Sequence, residues 1–419
     1  MRISVGGALT WIVAVAAVGS LYAHTFIDAP ASATTPVLAC AIAAGLVALA
    51  VGGLARFRLA PAERGARRIS AGLLALALAG FAASTLVGLA TRGMGAGDWG
   101  VFALQAGTPI LLSLTGRRVQ LLRALGWVCI VFASVDAAAN LAAFAHAIDL
   151  PAYSGRLTEG GVRLRYPGLS GNSLAAGLVA FTAVAFLAAG VGGRMRWALA
   201  ARIALIGALF ASLYLIDARR YLTLAALAVP LLGFRPAWRI PPAAVAVGLG
   251  AAGLAAAFAE TSDLRARLVI GGAARALAHP LLGQGPTWRD PASLQPLFAS
   301  LHGAGVTESG LLDLSIAYGV PATALLVLAS LTALSARRPA QSLPAVILAL
   351  LTAELAFGDS LSGFLGAILF YAALIACQRD EPFAPIQEPN HAPSHRSRRN
   401  QARWPSRRDD CDRRRSVER

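Results

Sequence analysis

Twelve apolar stretches follow one another along this chain, at residues 4–23, 36–54, 69–91, 99–115, 124–147, 172–190, 198–216, 221–236, 240–258, 308–333, 341–357 and 361–377. A bilayer core of about 30 Å is crossed by about 20 apolar residues in a helix. No water reaches a backbone N–H or C=O there, so a spanning segment must satisfy its own polar groups, as a helix does. The stretches therefore predict an all-α, polytopic membrane protein with about 12 transmembrane helices. Of the 419 residues, 57% are hydrophobic and 14% charged, too few polar side chains to cover a soluble domain. The polytopic domain is expected over 1–377. Beyond it, 378–419 is polar, basic and without apolar periodicity, and reads as a disordered tail.

The arginines give the orientation. Every one of the 37 basic residues is arginine, for which a coding bias is sufficient explanation. With the N-terminus inside, Arg2, the even-numbered gaps with the stretch ends that border them, and the tail hold 27 of the 37, and both termini are cytoplasmic. A net charge of +16 would suggest nucleic acid in a soluble chain. Here the charge sits in short gaps between apolar stretches, so it reads as topology and no nucleic-acid partner is expected. Met1 to His24 reads as a retained first span rather than a cleaved signal. Cys40, Cys129, Cys377 and Cys411 form neither a CxxC pair nor a disulfide framework. No cluster has metal-ligand spacing, and neither metal nor cofactor is expected.

Ten arginines are left for the outer side, nine of them in three places. The gap 148–171 carries Arg156, Arg163 and Arg165 among glycines and prolines that exclude a regular helix. The abrupt junction Asp217 to Tyr221 carries Arg219 and Arg220. The third place is the large loop predicted over about 259–307, between spans nine and ten, with Arg265, Arg267, Arg275 and Arg289. Charge at a membrane edge is costly, and a cluster of it is a functional hypothesis. A guanidinium gives phosphate oxygens two parallel hydrogen bonds and stays charged when desolvated. Three arginine-bearing gaps on one side thus suit a polyanionic head group such as undecaprenyl pyrophosphate. Attack of a sugar hydroxyl on an anomeric carbon would expel that pyrophosphate and would need a base. His302 and Glu308 are the candidates, with His279 a further one. Asp313, Asp136 and Glu354 are carboxylates within apolar stretches that call for a partner.

Four stretches resemble the O-antigen ligase and O-antigen polymerase superfamily of bacterial membrane glycosyltransferases. HPLLGQGP at His279 to Pro286 is similar to the family's nPLLGvGp signature in its large periplasmic loop. ESGLLDLSIAYGVPA at Glu308 to Ala322 resembles the HNxxL helix that follows. DARRYLTLAAL at Asp217 to Leu227 resembles SRxxLLAL, and VRLRYPGLSGNSLAAGL at Val162 to Leu178 resembles RlrGlfgNPNxlA. They occur in the family's order. By that resemblance Arg219 or Arg220, with Arg265 or Arg267, holds the lipid pyrophosphate, and Arg165, in the VRLRYPGLSGNSLAAGL stretch, is a further pyrophosphate-binding candidate. Where the ligase branch has its histidine, this chain has Glu308 and Ser309, with His302 six residues upstream. That departure favours a polymerase of surface polysaccharide over a lipid A-core ligase.

The expectation is a metal-independent glycosyltransferase of the bacterial inner membrane. It would move an undecaprenyl-pyrophosphate-linked glycan onto a glycan or lipid acceptor, alongside other polysaccharide-assembly proteins. The alternatives are a flippase or exporter of lipid-linked sugars, and a non-catalytic subunit of an assembly complex.

Overall fold

The structure is a computed structural model that describes residues 5–22, 31–54, 65–93, 96–148, 153–158, 161–165, 168–170, 172–190, 196–233, 241–259, 264–286, 309–335, 342–358, 361 and 363–379. Its helices are α1 (Val5–Gly19), α2 (Ala31–Leu54), α3 (Gly65–Arg92), α4 (Ala96–Phe102), α5 (Thr108–Leu114) and α6 (Arg118–Phe144), then α7 (Ser173–Ala188), α8 (Arg196–Leu215), α9 (Arg219–Gly233), α10 (Pro242–Ala259) and α11 (Leu264–Ala278), and finally α12 (Gly310–Tyr318), α13 (Val320–Ser335), α14 (Leu343–Glu354) and α15 (Phe364–Arg379). A π-helical turn, Ala103–Gly107, joins α4 to α5. The described residues of the twelve apolar stretches are mainly helical. Among the described residues two helices, Gly65–Thr91 and Arg118–Phe144, are long and apolar enough to cross a membrane, and ten shorter apolar helices accompany them.

The helical architecture has one exception among the described residues. β1 (Tyr153–Thr158) and β2 (Gly161–Arg165) pair antiparallel in the first arginine-bearing gap, with Thr158 opposite Gly161. A gap read as excluding a regular helix thus holds a strand pair. Three further differences from expectation are local. The tenth stretch is broken at Gly319 into α12 and α13, α11 fills part of the large polar loop, and α15 runs on to Arg379, past the expected start of the tail. The rest of the tail lies outside the described residues.

The innermost helices are apolar all round and wholly enclosed. Every residue of α14 is buried, as are Leu365 to Cys377 of α15 and Ala176 to Ala188 of α7. Such helices have no face left for water. Close approach depends on small residues: a Cβ at Gly126 of α6 would strike the Phe186 ring of α7, and one at Gly177 would lie 2.5 Å from the Tyr221 ring of α9. α13 lies along α3, where the Ser70 and Ser84 hydroxyls donate to the carbonyls of Ala329 (2.6 Å) and Ala317 (2.8 Å) and Phe81 stacks on Tyr318 at 4.3 Å. The outward faces are apolar too, with Leu76, Leu86, Val131, Val135 and Ile203 all more than half exposed.

Helix ends gather at two opposite ends of the bundle. At one, the Arg118 and Arg379 guanidinium groups donate to the last carbonyls of α5, Leu112 and Ser113, while Gln378 donates to Ser70. Cations on a helix C-terminus satisfy its orphan carbonyls and its dipole together. The other end gathers the starts of α7, α9 and α12 and the end of α14.

The break at Gly319 is closed on itself. Gly319 takes φ 89°, ψ 156°, a conformation that a side chain would strain. It leaves the last carbonyls of α12 without helical donors. Segment 279–286 supplies them: Gln284 N–H donates to Ile316 (2.6 Å) and Gly285 N–H to Ala317 (2.8 Å), and Pro280 accepts from Val320 N–H.

Candidate functional site

The junction between α8 and α9 is set by its own residues. Asp217 stands in the left-handed region at φ 53°, which Asp tolerates better than most residues. The chain thereby leaves α8 and enters α9 within Asp217–Ala218. The Asp217 carboxylate accepts from Arg219 Nε at 3.1 Å, with the Arg219 side chain half exposed and that of Asp217 buried. Both arginines open α9, at the positive end of its dipole.

The pair is divided in direction. Arg219 faces outward. Arg220 turns in, its guanidinium over the Tyr221 ring at 4.8 Å and its Nη1 3.4 Å from Oε1 of Glu354, whose side chain has no exposure. Tyr221 is in turn stacked on Phe181 of α7. The buried carboxylate of the eleventh stretch thus has its partner on α9, 134 positions upstream in the chain.

The first arginine-bearing gap closes on the same end. After β2, a 3-10 turn at Gly168–Ser170 drops onto Asp136 of α6, whose Oδ1 accepts Leu169 N–H at 2.6 Å. Gly168, at φ 68°, leaves no room for a side chain over that carboxylate. Asn172 caps α7 through Leu174 N–H at 2.9 Å and Ala175 N–H at 3.3 Å. One turn into α7, Gly177 faces Ala218 and Tyr221. On α6, Asn140 donates to Ser212 of α8 at 3.0 Å, so one helix holds both the turn after the hairpin and the last turn before the Asp217 junction.

α12 completes the end. Its first free N–H groups, Gly310 (2.5 Å) and Leu311 (2.9 Å), donate to the carbonyls of Gly358 and Leu355 beyond α14, and the Ser309 hydroxyl donates to Leu355. A helix start placed on a helix end satisfies both sets of orphan groups and aligns their dipoles.

Of the candidate site residues, the structure brings Arg220 to the end of α14, where the Ser309 hydroxyl also bonds, while Arg219 faces outward beside Asp217. Arg165 ends β2, three residues before the turn held by Asp136, and Arg265 and Arg267 lie in the first turn of α11; for these three the described atoms are backbone. His302 and Glu308 lie outside the described residues. His279 is exposed and sits with segment 279–286 at the far end of α12, away from Arg220. Arg275, in the last turn of α11, donates to Gln284 at 3.1 Å and so ties that helix to the same segment. No group of three His, Cys, Asp or Glu suited to a metal occurs among the described residues. The partners of Asp136 and Glu354, which sequence reasoning left unassigned, are Leu169 N–H and Arg220. Their signal was a carboxylate inside an apolar stretch.

Compared with protein-family models and with curated proteins, the chain matches none.

Proposed function

We propose that this chain is a membrane glycosyltransferase that moves a glycan from a lipid-linked pyrophosphate to an acceptor sugar, as a polysaccharide polymerase or ligase of the O-antigen ligase type. In this reading it crosses the bacterial inner membrane about twelve times, with both termini in the cytoplasm and the Arg219 end facing out. Apolar side chains on inward and outward helix faces alike support the membrane setting, because a water-facing surface would not carry so much exposed aliphatic area.

The observation that carries the reading is the corner at the end of α14, where Arg220 of the arginine pair meets Glu354 and the head of α12 bonds to the Leu355 and Gly358 carbonyls. In the reaction, the acceptor hydroxyl attacks the anomeric carbon, its proton passes to His302 or Glu308, and the bond from that carbon to the pyrophosphate oxygen breaks. Arg219, exposed and steadied by Asp217, binds the departing pyrophosphate, with Arg265 or Arg267 as its counterpart and Arg165 beside them. Arginine charge takes the place a metal holds in other transferases.

A carrier of lipid-linked sugars is the second reading, favoured by the interrupted helix α12–α13, since carriers bind substrate at such breaks. Against it, the exposed polar ends of the break are capped by segment 279–286 and by Ser84. The two readings part on substitution in cells that depend on this chain for polymer. His302→Ala or Glu308→Gln abolishes polymer while lipid-linked repeat units accumulate, at unchanged protein level. Normal polymer from both variants would remove the proposed base.

A further inference from the structure

α14 ends in a corner that two other helices share. On one side Glu354, with no exposure, faces the Arg220 guanidinium at 3.4 Å, and Tyr221 supports that guanidinium from its other face. On the other side the Leu355 and Gly358 carbonyls hold the first N–H groups of α12. Gly358 stands between them: a Cβ there would lie 2.6 Å from Arg220 Nη1 and overlap Glu354 Oε1. A buried ion pair stabilises little compared with apolar residues of the same volume, because desolvation offsets the attraction. Apolar residues in place of both Glu354 and Arg220 would therefore end α14 at least as stably as the pair does. What a carboxylate adds is a fixed place for a guanidinium.

We propose that Glu354 is a positioning residue that pins Arg220 to the end of α14, so that one rigid corner sets the spacing between the α9 arginine pair and the head of α12. This rests on the reading of that arginine pair as part of the lipid-pyrophosphate grip. It adds a residue that touches no substrate. Glu354 has no solvent access, so it acts through Arg220. The spacing it sets is the one between the leaving-group grip and Ser309 at the head of α12.

The test uses the full-length protein in lipid nanodiscs, as wild type, Glu354→Gln, Arg220→Gln, the double variant, Gly358→Ala and Arg219→Gln. Thermal unfolding reads the pair on its own. Each single substitution lowers Tm, Arg220→Gln the more because it strands a carboxylate with no exposure, and the double variant unfolds above Arg220→Gln. Single effects that merely add would overturn the pair. Inorganic pyrophosphate, the probe, raises the Tm of the wild type and of Glu354→Gln alike, and leaves Arg219→Gln unmoved. A missing shift in Glu354→Gln would place the carboxylate in the grip itself and overturn its positioning role. In transfer assays Glu354→Gln and Gly358→Ala keep the donor KM within about threefold while kcat falls about ten- to a hundredfold, the signature of displaced reacting groups. A raised KM at constant kcat would overturn the proposal. If the wild type neither transfers nor responds to pyrophosphate, the glycosyltransferase reading fails by itself, and the Tm cycle still decides whether Glu354 and Arg220 act as a unit.

Discussion

Removing the Asp136 carboxylate should loosen the turn behind the hairpin without unfolding the bundle. Asp136 is almost fully buried, and its Oδ1 accepts Leu169 N–H at 2.6 Å across a separation of 33 residues. A hydrogen bond to a charged group contributes about 1.5–3 kcal/mol. Taking about 2 kcal/mol, and about 1.4 kcal/mol per factor of ten, Asp136→Ala raises local opening of the 168–170 turn about 30-fold. Asp136→Asn keeps an acceptor oxygen and loses only the charge, so about 1 kcal/mol and about fivefold are expected. Global stability is the wrong readout, because removing the buried charge also removes its desolvation cost. The assay is amide hydrogen exchange at Leu169 in lipid nanodiscs, read against amides in α14. Faster exchange at Leu169 alone, ordered Ala above Asn above wild type, is the expected result. Equal rates at Leu169 in all three proteins would refute the anchor and with it the placing of the Arg165 strand.

Other perturbations follow from the same contacts. Gly319→Ala forces a side chain into a positive-φ residue and against the Leu281 carbonyl, and should cost about 3 kcal/mol or more; a Tm equal to wild type would show that segment 279–286 does not dock on the break. Reporter fusions at Arg64, Arg118 and Arg338 should report cytoplasm and those at Gly160 and Pro291 periplasm, and a cytoplasmic signal at Pro291 would remove the outer site. In the proposed reading arginines would neutralise the leaving group, so transfer is expected to survive a chelator; loss on chelation with recovery on adding a divalent ion would contradict this.

Local signals carried far in this chain and long-range ones did not. The apolar stretches are built of helix, which satisfies its own backbone polar groups within the segment. Breaks were harder to see. Gly319 followed by Pro321 is a stop and a start signal, yet the apolar run continues through both, and hydropathy alone reads one helix. The hairpin was partly legible: Val162-Arg163-Leu164-Arg165 alternates as a strand does, and Gly160-Gly161 is turn chemistry. α11 was hidden by its arginines, which make the segment look like loop. The contacts that build the site could not be read at all. Arg220 with Glu354, Leu169 with Asp136 and Gly310 with Gly358 join residues far apart in sequence, and a lone carboxylate in an apolar stretch announces a partner without naming it.

Bond transfer at the Arg219 end is measured most directly as release of undecaprenyl pyrophosphate. Purified protein in sealed vesicles is given an undecaprenyl-pyrophosphate-linked glycan and an acceptor sugar, with chelator present. Stoichiometric release of the lipid pyrophosphate with lengthened or transferred glycan is expected, with a fall of about ten- to a hundredfold in Arg219→Lys, because a point charge cannot reproduce the bidentate fork. Movement of the intact lipid-linked glycan across the bilayer, with no pyrophosphate released and no new glycosidic bond, would contradict it and make the chain a carrier.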